Sequence, residues 1–142
     1  MELALIGFPR SGKRTLFSAL TRGKGEGVPP AGGQSRPLRG AVKVPDPRLE
    51  TLAGIFKPQR TVPAEVVYVA YPGVAEIRGD LLNSLQKADA LVGVVRAFED
   101  PSVPHPLGSV DPERDIRQMD GELTLADQVV VERRLERLGP LL

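Results

Sequence analysis

One stretch of this sequence has residue types and spacing that add up to a chemistry: Gly7-Phe8-Pro9-Arg10-Ser11-Gly12-Lys13-Arg14-Thr15. It lies between a short apolar run at residues 3–6 and a segment with helical spacing of apolar residues. That is the layout of a phosphate cradle. Consecutive backbone N–H groups converge on an anion, and the start of a helix adds a partial positive charge. Glycine lets the backbone bend tightly and come close to phosphate oxygens. A lysine directly after the second glycine brings a compact charge to the β- and γ-phosphates. Arg10, Ser11, Gly12, Lys13, Arg14 and Thr15 are the expected phosphate-binding residues.

The pattern G-x-x-x-x-G-K-S/T holds through Lys13 and then breaks. Arg14 stands where a hydroxyl residue ligates Mg²⁺, and Thr15 comes one residue late. One helical step turns a side chain by about 100°. Thr15 is therefore a poor metal ligand, although it is the one candidate the loop offers. Arg10 and Arg14 could replace part of the metal's charge, because a guanidinium pairs directly with phosphate oxygens. The plainer reading is a glycine-containing turn that joins a strand to a helix. The strand before it and the helix after it favour the phosphate.

The elements that must position this loop alternate. Strands are expected at residues 3–6, 40–44, 65–69 and 90–95, the third rich in β-branched residues. Helices are expected at residues 13–20, from Pro47 to an end marked by Pro58, at residues 80–87 and at residues 111–138. The first has Leu16, Phe17 and Leu20 on one face. The second has Asp46 and Pro47 as its cap and first residue, with Leu49, Leu52, Ile55 and Phe56 on its inner side. Asp111-Pro112 repeats that signal before the last helix, where Ile116, Met119, Leu123, Ala126, Val130 and Leu138 recur near helical spacing. Gly139-Pro140 stops it. Residues 23–39 carry Gly, Pro, Ser, Gln and basic side chains but little that could anchor a core, and read as a long mobile loop. Strands alternating with helices make an α/β layered fold. With only four readable strands the sheet looks cut short, and its edge invites pairing with a second copy.

Composition narrows the class. The chain has 142 residues, about one domain, with a net charge of +1 that calls for neither nucleic acid nor an anionic membrane. It has no cysteine, hence no disulfide and no thiolate metal site. No apolar run approaches the ~20 residues of a membrane span, and a signal-peptide pattern is missing at the N-terminus. A soluble, cytoplasmic protein is expected. The lone His105, between Pro104 and Pro106, reads as a surface loop residue. Residues 132–137 read as a solvated helix face with i,i+4 charge pairs. Arg22, Lys24, Arg36 and Arg39 could touch RNA, but a solvated loop is the simpler reading. Tyr68 is expected to pack against a helix, and Tyr71 to lie exposed near a nucleotide.

Several separate segments, in order, resemble the YchF (Obg-like ATPase) subfamily of Obg-related P-loop GTPases. Gly12-Lys13-Arg14-Thr15-Leu16-Phe17-Ser18-Ala19-Leu20-Thr21 is similar to the family's GKSTLFNALT. Val44-Pro45-Asp46-Pro47-Arg48-Leu49 matches its VPDPRL segment, and Val94-Val95-Arg96-Ala97-Phe98-Glu99-Asp100 its VVRCFED strand. Val110-Asp111-Pro112, Asp115-Ile116 and Glu122-Leu123-Thr124-Leu125-Ala126-Asp127 resemble its VDPxxDI…ELxLAD helix. The resemblance implies a three-layer, Ras-like P-loop NTPase fold over residues 1–142, GTP or ATP at the loop, and association with ribosomes. It also implies that the sheet is incomplete: in the family the long helix continues into a helical hairpin, the base-reading motif lies further on, and a TGS domain follows. Residues 23–39 would be switch-like.

The departures from the family fall on catalytic positions. Its D-x-x-G appears as Ala70-Tyr71-Pro72-Gly73, so the carboxylate that holds the Mg²⁺ shell is missing while Gly73 keeps an N–H for the γ-phosphate. The first-switch threonine would fall near Gln34 or Ser35. Val74 matches the apolar residue that the family carries in place of a catalytic glutamine. Metal ions neutralise phosphate charge in the transition state. The expectation is therefore purine nucleotide binding with weak or absent hydrolysis, with no catalytic residue assigned and Mg²⁺ in doubt. Two alternatives stay open. One is a pseudo-GTPase interaction module that binds no nucleotide; the other is an NTPase completed by another chain.

Overall fold

In the structure, a computed structural model, residues 1–23, 36–73 and 77–138 are described. The expected elements are present in order: β1 (Glu2–Ile6), α1 (Lys13–Thr21), β2 (Leu38–Lys43), α2 (Pro47–Phe56), β3 (Glu65–Ala70), α3 (Gly79–Leu85), β4 (Ala90–Gly93) and α4 (Pro112–Leu138). The strands form one open sheet in the order β2-β3-β1-β4. β1 runs parallel to both β3 and β4, and β2 is antiparallel to β3. β1, buried on both faces, is the apolar run that such a central strand requires. β2 starts at Leu38, so Leu38 and Arg39 belong to the sheet and not to the loop expected there. Residues 24–35, which hold most of that loop with Lys24, Gln34 and Ser35, lie outside the described residues, as do Val74 and the Gly139-Pro140 stop.

Alternation along the strands divides the core into two layers of side chains. Leu5 and Ala70 pack with Phe17 of α1 on one face, joined by Leu38, Tyr68 and Val92. Ala4, Ile6, Val69 and Tyr71 pack on the other face against Leu82 and Leu85 of α3 and Ala126 of α4, with Ile77 beside them. The result is three layers, helix–sheet–helix, with β1 at the centre. Tyr68 packs toward α1 as expected. The Tyr71 ring is buried with Leu82 and Leu85 of α3, not exposed: it follows Ala70 along the extended chain and so packs on the opposite face of the sheet, while it still borders the loop of residues 9–15. Burial raises the pKa of its hydroxyl, and a bond with Ser84 partly offsets this.

Both proline-initiated helices start where the sequence signals placed them. The Asp46 side chain accepts from Arg48 N at 3.0 Å, and Asp111 Oδ1 accepts from Arg114 N at 3.0 Å. Their packing differs from expectation. α2 has no buried residue, and Leu52, Ile55 and Phe56 are exposed, Phe56 to 75%. A helical stripe reports amphipathicity, not which surface will cover it. On α1, Phe17 and Thr21 face inward while Leu16 is exposed. On α4, Asp115, Met119, Leu123 and Ala126 make the inner row, and Ile116, Val130 and Leu138 are exposed.

His105 is buried, contrary to its reading as a surface residue. Its Nε2 lies 3.0 Å from Asp115 Oδ2, and both side chains are almost wholly out of solvent. Its Nδ1 accepts from Leu107 N at 3.2 Å. Arg114 reaches Asp115 Oδ1 at 2.8 Å from the other side. This trio pins the segment after β4 onto the first turn of α4.

Candidate phosphate-binding site

β1 delivers residues 7–12 to the C-terminal edge of the sheet, and α1 begins immediately behind them. The loop bends through three residues with positive φ: Gly7 at 146°, Arg10 at 63° and Gly12 at 97°. Gly7 has no room for a side chain, because a Cβ there would collide with the Val94 carbonyl oxygen. The Arg10 conformation is costly for an L-residue and is held by the surrounding loop, a form of strain found at ligand clamps. Its Nη1 donates to Pro104 O at 2.9 Å, which ties the loop to the segment after β4.

Leu16 N donates to Gly12 O at 2.9 Å. The amides of Lys13, Arg14 and Thr15 come before that bond, so no turn of helix exists to satisfy them. They belong to residues that line a cleft of about 570 Å³. Lys13 is buried, with 7% of its surface exposed. Its Nζ donates to Gly7 O and Phe8 O, both at 2.8 Å, and lies 3.5 Å from Ser11 Oγ. Burial lowers its pKa from 10.5 to about 8. Among the described residues this buried ammonium is held by two carbonyl oxygens and a hydroxyl, with no carboxylate paired to it, and an arriving phosphate would supply the counter-anion.

The sequence-derived positions that lie among the described residues meet here, whereas Gln34, Ser35 and Val74 lie outside them. Arg10, Ser11, Gly12, Lys13, Arg14, Thr15, Ala70 and Gly73 all line the cleft. Gly73 lies so close to the Pro9 backbone that a Cβ would overlap it. Arg14 and Thr15 are exposed on the cleft wall.

Two further residues were not singled out from sequence as part of the site. Arg36 lines the cleft from the start of β2, and Arg96 lines it from beyond β4. Arg96 is 2% exposed and donates to Phe98 O, Val103 O and Asp100 O at 3.0, 2.7 and 3.3 Å. Its guanidinium also lies 4.9 Å from the centre of the Phe98 ring. It organises the cleft wall by binding the loop's carbonyls. An arginine surrounded by apolar residues at the end of a strand was the available signal, since burial of this residue type requires partners.

The described residues around the cleft do not by themselves fit a Mg²⁺ site. Ala70 stands in the carboxylate position and is buried against Leu5 and Phe17. Among the described residues Asp100 is the one carboxylate on the cleft wall, and its Oδ1 already accepts from Ser102 N and Oγ at 2.9 and 2.6 Å. Those bonds hold its pKa below the usual carboxylate range. Among the described residues, no group of three or more His, Asp or Glu side chains is placed to hold a metal.

The chain is 36% identical over 144 residues to the ribosome-binding ATPase YchF of Escherichia coli, covering 96% of the chain and 40% of that protein. It is 35% identical over 148 residues to the Bacillus subtilis protein of the same name, covering 99% and 40%. Obg-like ATPase 1 of Gallus gallus is 29% identical over 145 residues, covering 97% and 37%. No family model matches. Among solved structures, the Schizosaccharomyces pombe YchF GTPase superposes with a TM-score of 0.69 at 31% identity, over 99% of this chain and 39% of that one. The G domain of the Thermotoga maritima FeoB iron transporter gives 0.54 at 17% identity, over 87% and 65%, and shares the fold. The resemblance to YchF and the Obg-like ATPases thus extends over nearly the whole chain, which spans about two-fifths of the length of these relatives. No helix among the described residues is long and apolar enough to cross a membrane.

Proposed function

We propose that this relative of the YchF and Obg-like ATPases binds a purine nucleotide, GTP or ATP, at the loop of residues 7–15, with weak or absent hydrolysis. The observation that carries the reading is Lys13: buried, cationic, and held on two loop carbonyls beside the unsatisfied amides at the start of α1. Weak hydrolysis follows from Arg14 and Ala70, which remove the hydroxyl and the carboxylate that would position a metal on the phosphates. Arg10, Ser11, Gly12, Lys13, Arg14, Thr15 and Gly73 are the proposed binding residues, and residues 1–142 are the proposed front part of a G domain. A ribosome as partner, and with it a cytoplasmic location, is proposed from the names of the bacterial relatives.

Isothermal titration of ATP, GTP and their diphosphates against the parent and Lys13→Ala tests this. Loss of a charge-assisted contact of ~3 kcal/mol weakens binding about 100-fold. Equal affinity in the two proteins would refute the phosphate loop.

A second reading is favoured by a different observation. Leu52, Ile55 and Phe56 of α2, with Val62 just after it, leave an apolar surface open to solvent. An interaction module that binds no nucleotide would use such a surface. Absence of binding at millimolar nucleotide supports it.

A further inference from the structure

The cleft is rich in fixed positive charge and poor in carboxylate. Among the described residues, Lys13, Arg10, Arg14, Arg36 and Arg96 line it, against Asp100 alone of the acidic side chains. The arginines divide into two pairs. Arg10 and Arg96 are committed to loop carbonyls. Arg14 and Arg36 have no hydrogen bond or ion pair among the described residues. Arg14 occupies the second position of α1, where the phosphate-loop pattern puts a metal-ligating hydroxyl.

We infer that this cleft takes the polyphosphate of a nucleotide without a divalent cation, with Arg14, assisted by Arg36, as the counter-charge. The inference rests on the nucleotide-binding reading above and specifies the form of the ligand. A divalent ion at this site would have to sit beside Arg14 and Lys13, and among the described residues the one carboxylate lining the cleft, Asp100, is already bonded to Ser102. A guanidinium needs no such support. It is always charged, is weakly hydrated, and presents a planar fork of donors that spans two phosphate oxygens. It also differs from a metal in what it leaves undone, since it orders no inner-shell water and fixes no octahedral geometry. Metal-free binding and weak hydrolysis are then two consequences of the same substitutions.

The test is titration calorimetry with ATP and with GTP, each in excess EDTA and in excess Mg²⁺, on the full chain, Arg14→Ser and Arg36→Gln. Both arginines are exposed, so circular dichroism should find the variants folded like the parent. The parent is expected to bind with dissociation constants that agree within about 2-fold in the two media. Arg14→Ser should lose about 10-fold or more in EDTA, and Arg36→Gln a smaller factor. Parent binding that collapses in EDTA overturns the inference and leaves the nucleotide-binding reading standing. Arg14→Ser that binds like the parent in EDTA also overturns it. No binding in either medium overturns both.

Discussion

The two sides of the cleft differ in what was kept. On the side of the proposed phosphate site, Gly7 and Gly12 bend a strained loop, the Lys13 ammonium ties it together, and Gly73 closes on Pro9. On the metal side, the hydroxyl and carboxylate positions hold Arg14 and Ala70. The first side depends on backbone shape: a side chain would collide at Gly7 and Gly73 and would be strained by the positive φ at Gly12. The second depends on two side chains that make no packing demand specific to their chemistry, since Ala70 fills its place against Leu5 and Phe17 without strain. A loop of this kind can lose its metal chemistry while keeping its fold.

The most forceful way to break that contrast is to change the phosphate side. Gly7→Ala places a methyl on the Val94 carbonyl oxygen at a φ that disfavours any side chain. Relieving the overlap means separating the loop from the segment after β4, at a cost of about 3 kcal/mol or more. Thermal unfolding followed by circular dichroism should show the midpoint falling by more than ~10 °C. A variant that melts with the parent would mean the loop is not held as described.

Much of the phosphate side was legible in the sequence because it rests on local signals. A strand, two glycines, a lysine and a helix occur in one short stretch, and the proline-capped starts of α2 and α4 were equally local. What was not legible depends on distant residues. His105 and Asp115 are partners across ten positions that hold no periodic element in common. A histidine between prolines looks solvated until α4 brings a buried carboxylate to it. Tyr71 goes to the core because strand alternation continues past the end of β3, and the motif around it pointed the other way. Arg96 is recognisable as part of the cleft only when its three carbonyl partners are in place. The inner face of α2 was misread for a related reason: its stripe is real, but no described element packs on it.

A finer probe of the phosphate side is the charge on Lys13. Its pKa near 8 in the free protein means that binding a phosphate, which favours the ammonium, must draw in a proton above that pH. Affinity should be level below pH 7 and fall as pH rises through 8 to 9. Over the same interval the apparent binding enthalpy should vary with the ionisation enthalpy of the buffer. The sign for folding is opposite. Between pH 8 and 10.5 the unfolded chain holds a proton that the folded chain has released, so this group's contribution makes the ligand-free fold gain stability as pH rises through that window. Below pH 8 the penalty of burying the ammonium is fully present. Binding that is flat from pH 6 to 9.5, with no buffer dependence, would place Lys13 outside the phosphate contacts.

The smallest effect is expected where the molecule makes least use of its own residues. Phe56 ends α2 with three-quarters of its surface exposed, and Ile55 beside it is 66% exposed. Neither contributes to the two core layers, so removing them takes little apolar area out of the folded state. Phe56→Ser together with Ile55→Ser should move the unfolding free energy by no more than about 0.5 kcal/mol per site and leave nucleotide titrations unchanged. A large loss of stability would mean that these side chains are covered in solution, by this chain or by a second copy. A concentration-dependent melting temperature in the parent, absent from the variant, would separate those two cases. If neither stability nor nucleotide affinity changes, the apolar face of α2 is independent of the cleft, and a partner that covers it would engage the chain without displacing the phosphate loop.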